Sequence, residues 1–304
     1  MKGTNTIAAA PLEAPELWDF ATLAERLAAL PAGTRYVNFQ GNAGDALIAD
    51  GTRQFFAAHG LSFVEHDIGV PLEDGTAVIM GGGGNFIPLY DHVARFLADG
   101  AERLGPMVLL PSTVRGNEAL LARLPAHCLV VCRERESYAH CKAHLGAAEL
   151  ALCPDMAFAW EPKMHDAAVA RVLPRALMQS YSWRFAAKSA RVFWQARQLR
   201  RAGGRLSAFR TDAEATGRSL PSSNQDLSEL FRPRDIGPLT APLAVQALCR
   251  FLAPFDEVET NRLHIAVLAA HLGKRVFVSD NNYGKLSAVL ALAPEALKAR
   301  ISFV

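Results

Sequence analysis

The sequence predicts an α/β protein built on parallel sheets, and three observations support this class. Half of the 304 residues are hydrophobic and a fifth are charged, which is typical of a folded globular chain and excludes a disordered, collagen-like or disulfide-based one. Short runs rich in Val, Ile and Leu are mostly apolar at every position, as expected for strands buried on both faces of a sheet. These runs alternate with longer segments of helical spacing, and such alternation is typical of a doubly wound parallel sheet.

The first half of the chain contains a series of these apolar runs. We predict strands at Tyr36–Phe39, Leu61–Glu65, Ala77–Met80, Met107–Leu110, Leu129–Cys132 and Leu150–Cys153. Helical spacing between the runs predicts helices that include Ala46–His59, Asp91–Leu104 and Ser137–Leu145. Because strand and helix alternate throughout, we expect an N-terminal Rossmann-like domain over residues 1–165.

A second α/β series follows a helical segment. Residues 166–204 have helical spacing that is interrupted at Pro174 and ended by Gly203 and Gly204, which predicts a helical linker. Residues 216–242 are rich in Ser, Pro and Gly and predict loops. We predict strands at Leu206–Phe209, Glu257–Thr260 and Val276–Ser279, and helices at Leu243–Leu252, Arg262–Leu272 and Lys285–Leu292. These elements predict a C-terminal Rossmann-like domain over residues 205–304.

Two Rossmann-like domains that face one cleft form a GT-B-like arrangement. In open parallel sheets, ligands bind outside the carboxyl ends of the strands, so the residues directly after each strand are the candidate site residues. Asn42 and Asp45 follow the first predicted strand. Asp45 can cap the next helix, whose free N–H groups would then face the cleft. The alternative for both residues is an ordinary strand–helix turn.

The third predicted strand ends in four consecutive glycines, Gly81, Gly82, Gly83 and Gly84. Each glycine costs ~0.5–1 kcal/mol relative to alanine in regular structure, so another interaction should offset the run. A backbone that passes close to a ligand, or a nest of N–H groups around an anion, would do so. A structural bend is the alternative. The spacing matches neither the dinucleotide fingerprint nor a P-loop.

Four basic residues occupy positions where they would face the cleft. Arg133 directly follows the fifth predicted strand, although an exposed, ion-paired helix start is the alternative for it. Arg262 and His264 fall in the first turn of one predicted helix, and Lys285 falls in the first turn of another. Cations there oppose the helix dipole by ~0.3–1 kcal/mol each. A bound anion would make them favourable, and the sequence therefore predicts an anion site.

Other kinds of site find no support in the sequence. It contains no DxD motif for a metal-bridged nucleotide sugar and no GxSxG nucleophile elbow. His140 and His144 share one helix face, but no third ligand is evident, so we predict no metal site. The five cysteines are odd in number and form no CxxC motif, which favours reduced cysteines over disulfides.

Six segments, in order along the chain, resemble the polysaccharide pyruvyl transferase family. They are NFQGNAGDALIADG, VIMGGGGNF, VVCRERESY, LCPDMAF, AFRTDAEAT and ETNRLHIAVLAAHLGKRVFVSDNNYGKLSAVL. The resemblance implies a GT-B-like fold and transfer of the pyruvyl group of phosphoenolpyruvate to a sugar diol of an exopolysaccharide or cell-envelope glycan precursor, giving a pyruvate ketal and phosphate. It also implies that Arg133, Arg262 and His264 serve phosphoenolpyruvate binding and catalysis. Gly81–Gly84 and Lys285 match the family's glycine loop and its YGK motif.

The chemistry of phosphoenolpyruvate agrees with these residue types. Its carboxylate and phosphate need several cations in a fixed geometry, and Arg133, Arg262 and Lys285 can supply them. Asn42 and the glycine run are further candidates for substrate binding. We expect no metal and no cofactor, because phosphoenolpyruvate acts as a co-substrate.

The reaction also needs groups that move protons. His264 is the candidate general acid/base, with a role as phosphate ligand as the alternative. Asp45 or Glu214 is the candidate base for the sugar hydroxyl.

Residues 167–211 are basic and aromatic. They carry ten Lys or Arg residues and no Asp or Glu, whereas the rest of the chain carries 22 basic and 30 acidic residues. Such a composition is typical of a helix lying on an anionic membrane, where a lipid-linked acceptor would be presented. We therefore expect a cytoplasmic protein, without signal or spanning segment, that contacts the inner face of the membrane. A solvated helix face is the alternative, and nucleic acid is not an expected partner because the acidic remainder would repel it.

Two other functions fit the same fold. A GT-B glycosyltransferase that uses a nucleotide sugar would share the cationic cleft. A non-catalytic glycan- or anion-binding protein would keep the fold without the chemistry. The joint presence of Arg133, Arg262, His264 and Lys285 favours catalysis, and the sequence indicates no oligomeric state.

Overall fold

The computed structural model describes residues 15–177, 192–201, 204–212, 219–280 and 285–304. Its strands are β1 (Arg35–Val37), β2 (Val64–His66), β3 (Val78–Met80), β4 (Gly83–Phe86), β5 (Met107–Val114), β6 (Cys128–Cys132), β7 (Glu149–Leu152), β8 (Arg205–Ser207), β9 (Glu257–Thr260), β10 (Arg275–Val278) and β11 (Ile301–Phe303). Its first helices are α1 (Phe20–Ala28), α2 (Ala43–Ala58), α3 (His92–Gly100), α4 (Glu118–Leu121), α5 (Arg135–His144), α6 (Pro162–Leu177) and α7, described over residues 192–201. The others are α8 (Leu227–Leu230), α9 (Thr240–Leu252), α10 (Leu263–His271), α11 (Lys285–Leu290) and α12 (Glu295–Lys298), and a 3-10 turn covers Met156–Ala159.

The strands form two parallel sheets. The first has the order β2-β1-β3-β5-β6-β7, with β4 paired to β5 off this path, and the second has the order β11-β10-β9-β8. Every strand pair is parallel. All positions of β5 and β6 are buried, because helices cover both faces of a parallel sheet and leave no solvated side. The predicted α/β class with parallel sheets is confirmed.

One hydrophobic core runs through both sheets. It contains Tyr36 and Ile79 of the first sheet and Val258 and Val276 of the second. Helix α2 connects them, since it contacts both α9 and α10. A second, smaller core covers the other face of the first sheet. The division into residues 1–165, 166–204 and 205–304 stays a prediction.

Several elements differ from the sequence prediction in ways that matter for the site. The glycine run was expected to be a loop, but Gly83–Phe86 forms β4, because β5 continues to Val114 and offers a pairing edge. Helix α10 begins at Leu263, so Arg262 is its N-cap rather than part of its first turn. The expected loop over residues 216–242 contains α8 and the start of α9. Among the described residues, no helix combines the length and the hydropathy needed to cross a bilayer.

Candidate active site

A cleft with a cavity volume of about 230 Å³ opens at the carboxyl ends of strands from both sheets. Asn42, beyond β1, and Arg133, beyond β6, line it from the first sheet. Arg210, beyond β8, and the pair Arg262 and His264, beyond β9, line it from the second. The cleft is smaller than the ~300–1,000 Å³ pockets that hold drug-sized ligands. Asn42, Arg133, Arg262 and His264, which the sequence predicted as site residues, therefore lie around one space that suits a small ligand.

Arg133 is a buried cation at this site. It follows β6 directly, and only 1% of the residue is exposed. Its Nε donates to Thr113 Oγ1 at 2.9 Å, and its Nη1 donates to Asp155 Oδ2 at 2.6 Å. The alternative of an exposed, ion-paired helix start is wrong, because the neighbouring Glu134 provides the N-cap of α5 while Arg133 turns inward.

Asp155 is the carboxylate that connects the two halves of the site. It lies just beyond β7 and is 1% exposed. Burial by itself raises the pKa of Asp155, but the charge of Arg133 and the nearby His264 outweigh it and hold that pKa well below its usual value. Asp155 lies in the segment LCPDMAF but was not among the site residues predicted from sequence. The available signal was a lone charged residue directly after a strand, flanked by apolar residues.

His264 sits in the first turn of α10, against the start of α2. Its Nε2 lies 3.7 Å from Asp155 Oδ2, which is too long for a hydrogen bond. This nitrogen is buried and has no hydrogen-bond partner among the described residues. Such an atom is costly to leave unsatisfied, and a polar group of a bound ligand would satisfy it.

Arg262 is held by carboxylates of the same chain. Its Nε and Nη2 donate to the two oxygens of Asp226 at 3.0 and 2.6 Å, and its Nη2 lies 2.9 Å from Asp212 Oδ2. Only 6% of Arg262 is exposed. The sequence predicted an anion at the start of α10. The carboxylates of Asp226 and Asp212 provide at least part of that negative charge. Asp226 could not be identified from sequence, because it lies in the stretch that was expected to form loops.

The other two arginines of the cleft are paired in the same way. Arg210 donates through Nε and Nη2 to Asp212 at 2.8 and 3.1 Å, and Arg232 donates to both oxygens of Glu229 at 2.8 Å. In Arg232 this pairing takes two of the five guanidinium N–H groups, so the others can serve a ligand. The pairing also fixes the direction in which those donors point.

Asn42 and Asp45 first of all build the start of α2. Asn42 Oδ1 accepts from Gly44 N, and Asp45 Oδ2 accepts from Asn42 N, both at 2.8 Å, in a capping box. Both side chains also line the cleft. Asn42 and Asp45 therefore form an ordinary strand–helix turn and also line the cleft. Their role toward a substrate stays a prediction.

The glycine run is explained largely by close packing within the chain. A Cβ on Gly81 would lie 2.4 Å from Asn38 Oδ1, and a Cβ on Gly82 would lie 2.4 Å from Pro111 O. Gly83 has φ +127°, a conformation that favours glycine. Only Gly84 of the four lines the cleft. Close contacts and backbone conformation explain why glycine occupies the other three positions, and a ligand contact of the run stays a prediction.

Some predicted site residues lie outside the described residues. These are Glu214 and the side chain of Lys285, although Leu286 beside it lines the cleft. In the basic stretch, residues 178–191 and 202–203 lie outside as well. In α7, Phe193 packs against the core, while Trp194 is 66% exposed.

Gly44 provides a test of how tightly His264 is positioned. A Cβ on Gly44 would lie 3.0 Å from His264 Nδ1 and 3.1 Å from its Cβ. We expect Gly44→Ala to lower turnover about 10-fold or more by displacing the ring. It should leave the free energy of unfolding within about 1 kcal/mol, because alanine favours a helix over glycine by a similar amount.

Gly51, also in α2, is the matched control. A Cβ there would lie 2.5 Å from the carbonyl oxygen of Met156, so Gly51→Ala should destabilise the fold without contact to His264. Urea denaturation and steady-state kinetics measure both effects. If Gly44→Ala is fully active, the ring is not held by this contact.

Comparisons with known proteins agree on one family. The family model described as polysaccharide pyruvyl transferase matches residues 42–283. The curated protein "Putative pyruvyl transferase EpsO" of Bacillus subtilis (strain 168) is 29% identical over 272 residues, which cover 81% of this chain and 80% of that protein.

A solved structure supports the fold independently. It is the crystal structure of a functionally uncharacterized protein from Klebsiella pneumoniae subsp. pneumoniae NTUH-K2044, with a TM-score of 0.67 and 24% identity. The likeness covers 94% of this chain and 96% of that one. At this identity it bears on the fold alone.

Proposed function

The chain belongs to the polysaccharide pyruvyl transferase family, and we propose that it transfers the pyruvyl group of phosphoenolpyruvate to a sugar diol of an exopolysaccharide or cell-envelope glycan precursor. The observation that carries the proposal is the proximity of Arg133, Asp155 and His264 where strands of both sheets end. Arg133 is paired with Asp155, and His264 Nε2 lies 3.7 Å from the same carboxylate without a hydrogen-bond partner of its own among the described residues. We further propose that the two sheets belong to two Rossmann-like domains in a GT-B-like arrangement.

The donor would be held by arginines that the protein has already oriented. Phosphoenolpyruvate carries a carboxylate and a phosphate on a three-carbon frame, and guanidinium groups recognise both in a planar, bidentate manner. Arg133 and Arg262 approach from different sheets and keep N–H donors beyond those used by Asp155 and Asp226. Lys285 is proposed as a further cation.

The reaction requires three proton movements and one leaving group. A proton is added to the methylene carbon, and one sugar hydroxyl adds to C2 as its own proton is removed. The C2–O bond to phosphate then breaks, and the second hydroxyl closes the ketal, so that its proton balances the phosphate released. His264 is the proposed general acid/base, because it faces the cleft and its Nε2 is uncommitted to any described residue.

The acceptor would lie on the side of the cleft formed by α2. Asn42, Asn85 and Gln40 line this side, and amides suit sugar hydroxyls because each offers both donor and acceptor atoms. Asp45 Oδ2 accepts from Asn42 N, so Oδ1 is the proposed base for the attacking hydroxyl. No metal or cofactor is part of the proposal, and the cytoplasmic, peripheral location with contact to anionic lipid remains proposed.

The test compares donors directly. The purified chain is titrated with phosphoenolpyruvate and with nucleotide sugars, and each donor is then incubated with a panel of hexose and N-acetylhexosamine glycosides. We expect saturable binding of phosphoenolpyruvate and, with a suitable diol, phosphate release together with a product whose mass matches the ketal. Release of a nucleoside diphosphate from a nucleotide sugar would instead identify a glycosyltransferase. Binding of a glycan without turnover of either donor would identify a binding protein.

A further inference from the structure

Three metal-ligating side chains meet on the surface of the first sheet, outside the cleft. They are Glu118 of α4 and His140 and His144 of α5. One ligand atom from each residue lies within 4.8 Å of the ligand atoms of the other two. Among the described residues, these three form the one group of His, Cys, Asp or Glu side chains that meets this distance. None of the three lines the cleft, so the proposed pyruvyl transfer does not use them.

The two histidines are arranged as a helical chelating pair. They are four residues apart in α5, and their ring centroids lie 4.8 Å apart, because residues i and i+4 share one face of a helix. His140 Nε2 hydrogen-bonds to the carbonyl oxygen of Gly116 at 2.9 Å, and it lies 4.0 Å from Glu118 Oε1. A metal would bind the other ring nitrogen, or would take Nε2 in exchange for that single hydrogen bond.

The third ligand comes from an unusual turn before α4. Gly116 and Asn117 both have φ of 60°, and this turn brings Glu118 beside α5. The Glu118 side chain is 53% exposed and the His140 side chain 18%, so an ion can reach the site from solvent. The third ligand is not evident from the sequence, because Glu118 lies 22 positions from His140 along the chain, without a recognisable spacing.

We infer that Glu118, His140 and His144 form a binding site for a single Zn²⁺ ion. Two imidazoles and one carboxylate are a ligand set that zinc accepts, with bonds of about 2.0–2.2 Å and a fourth position open to water. Ligand atoms that start within 4.8 Å of one another reach this geometry through rotation of the side chains. The ion would link α4 to α5. Helix α5 begins two residues after Arg133.

The test is a direct titration of the full chain, produced without a histidine tag and treated with a chelator. We expect one equivalent of Zn²⁺ to bind, and one equivalent of Co²⁺ to give the visible absorption of a tetrahedral site. At 100 times the dissociation constant, Zn²⁺ should raise the melting temperature by about 5 °C.

Variants assign the ligands. His140→Ala and His144→Ala should each weaken Zn²⁺ binding strongly. The loss should exceed the ~10–100-fold that follows removal of a residue that only hydrogen-bonds a metal ligand. Glu118→Gln should weaken it while leaving the fold intact, because the side chain is largely exposed. His59→Ala, at the end of α2, is the control and should bind as the native chain does. Absence of stoichiometric binding, or equal affinity in His140→Ala, would overturn the proposal.

Discussion

Replacement of His264 by Asn should lower kcat for pyruvyl transfer by about 10²–10⁴-fold, the usual contribution of a general acid/base. Asn keeps a polar group near the position of the ring but cannot carry a proton between substrate atoms. Because Arg133 and Arg262 remain oriented by their own carboxylates, binding of phosphoenolpyruvate should change much less than kcat does. Phosphate release gives kcat, and calorimetric titration with phosphoenolpyruvate gives the affinity.

The division between kcat and affinity separates the two roles considered for His264. A ring that only hydrogen-bonds the phosphate would, when replaced, weaken donor binding and leave kcat at saturation nearly unchanged. The control is His59→Asn, which lies outside the cleft and should retain both parameters. If His264→Asn turns over at the native rate, the assignment of the general acid/base is wrong.

Replacement of Asp155 by Asn should cost about 3–5 kcal/mol of unfolding free energy, the cost of removing one partner from a buried ion pair. The effect is large because Arg133 and Asp155 are each 1% exposed, so the guanidinium would be left charged in the interior. Turnover should fall as well, since both Arg133 and His264 lose the group that faces them. Urea denaturation measures the stability, with Asp74→Asn as control, because the Asp74 side chain is 79% exposed in its pair with Arg103 and contributes little.

A double replacement distinguishes an unpaired charge from general damage to the fold. Replacing both partners by apolar residues of similar size, as in Arg133→Met with Asp155→Leu, should be less destabilising than Asp155→Asn alone. The double variant should be inactive, because donor binding needs Arg133. If the double variant is the less stable of the two, the destabilisation does not arise from an uncompensated Arg133.

The same ion pair predicts a pH dependence. The pKa of Asp155 is depressed in the folded state from its ordinary value of 3.8, so the unfolded chain takes up a proton first as the pH falls. The stabilisation by this carboxylate is therefore fully present well above pH 4 and is lost progressively below it. We expect the difference in unfolding free energy between the native chain and Asp155→Asn to be constant near neutral pH and to shrink below pH 4.

Part of the site could be predicted from sequence because parallel strands place their carboxyl ends together. Arg133, Arg262 and His264 each come soon after a predicted strand, and all three line the cleft. The residue types of Arg262 and His264 also conflict with the dipole of the predicted helix, which indicated a binding role. Asp155 and Asp226 were not predicted as site residues, because Asp and Glu after a strand are equally typical of turns and caps.

The sequence by itself determined the α/β class, most of the strands and the ends of strands where chemistry is found, since burial on both faces requires continuous apolar runs. Only the tertiary structure decided which charges meet. Asp155 and His264 are 109 positions apart, yet Oδ2 and Nε2 lie 3.7 Å from each other. The physical reason is that pairing between buried charges depends on how helices and strands pack, and no local spacing in the chain records that packing.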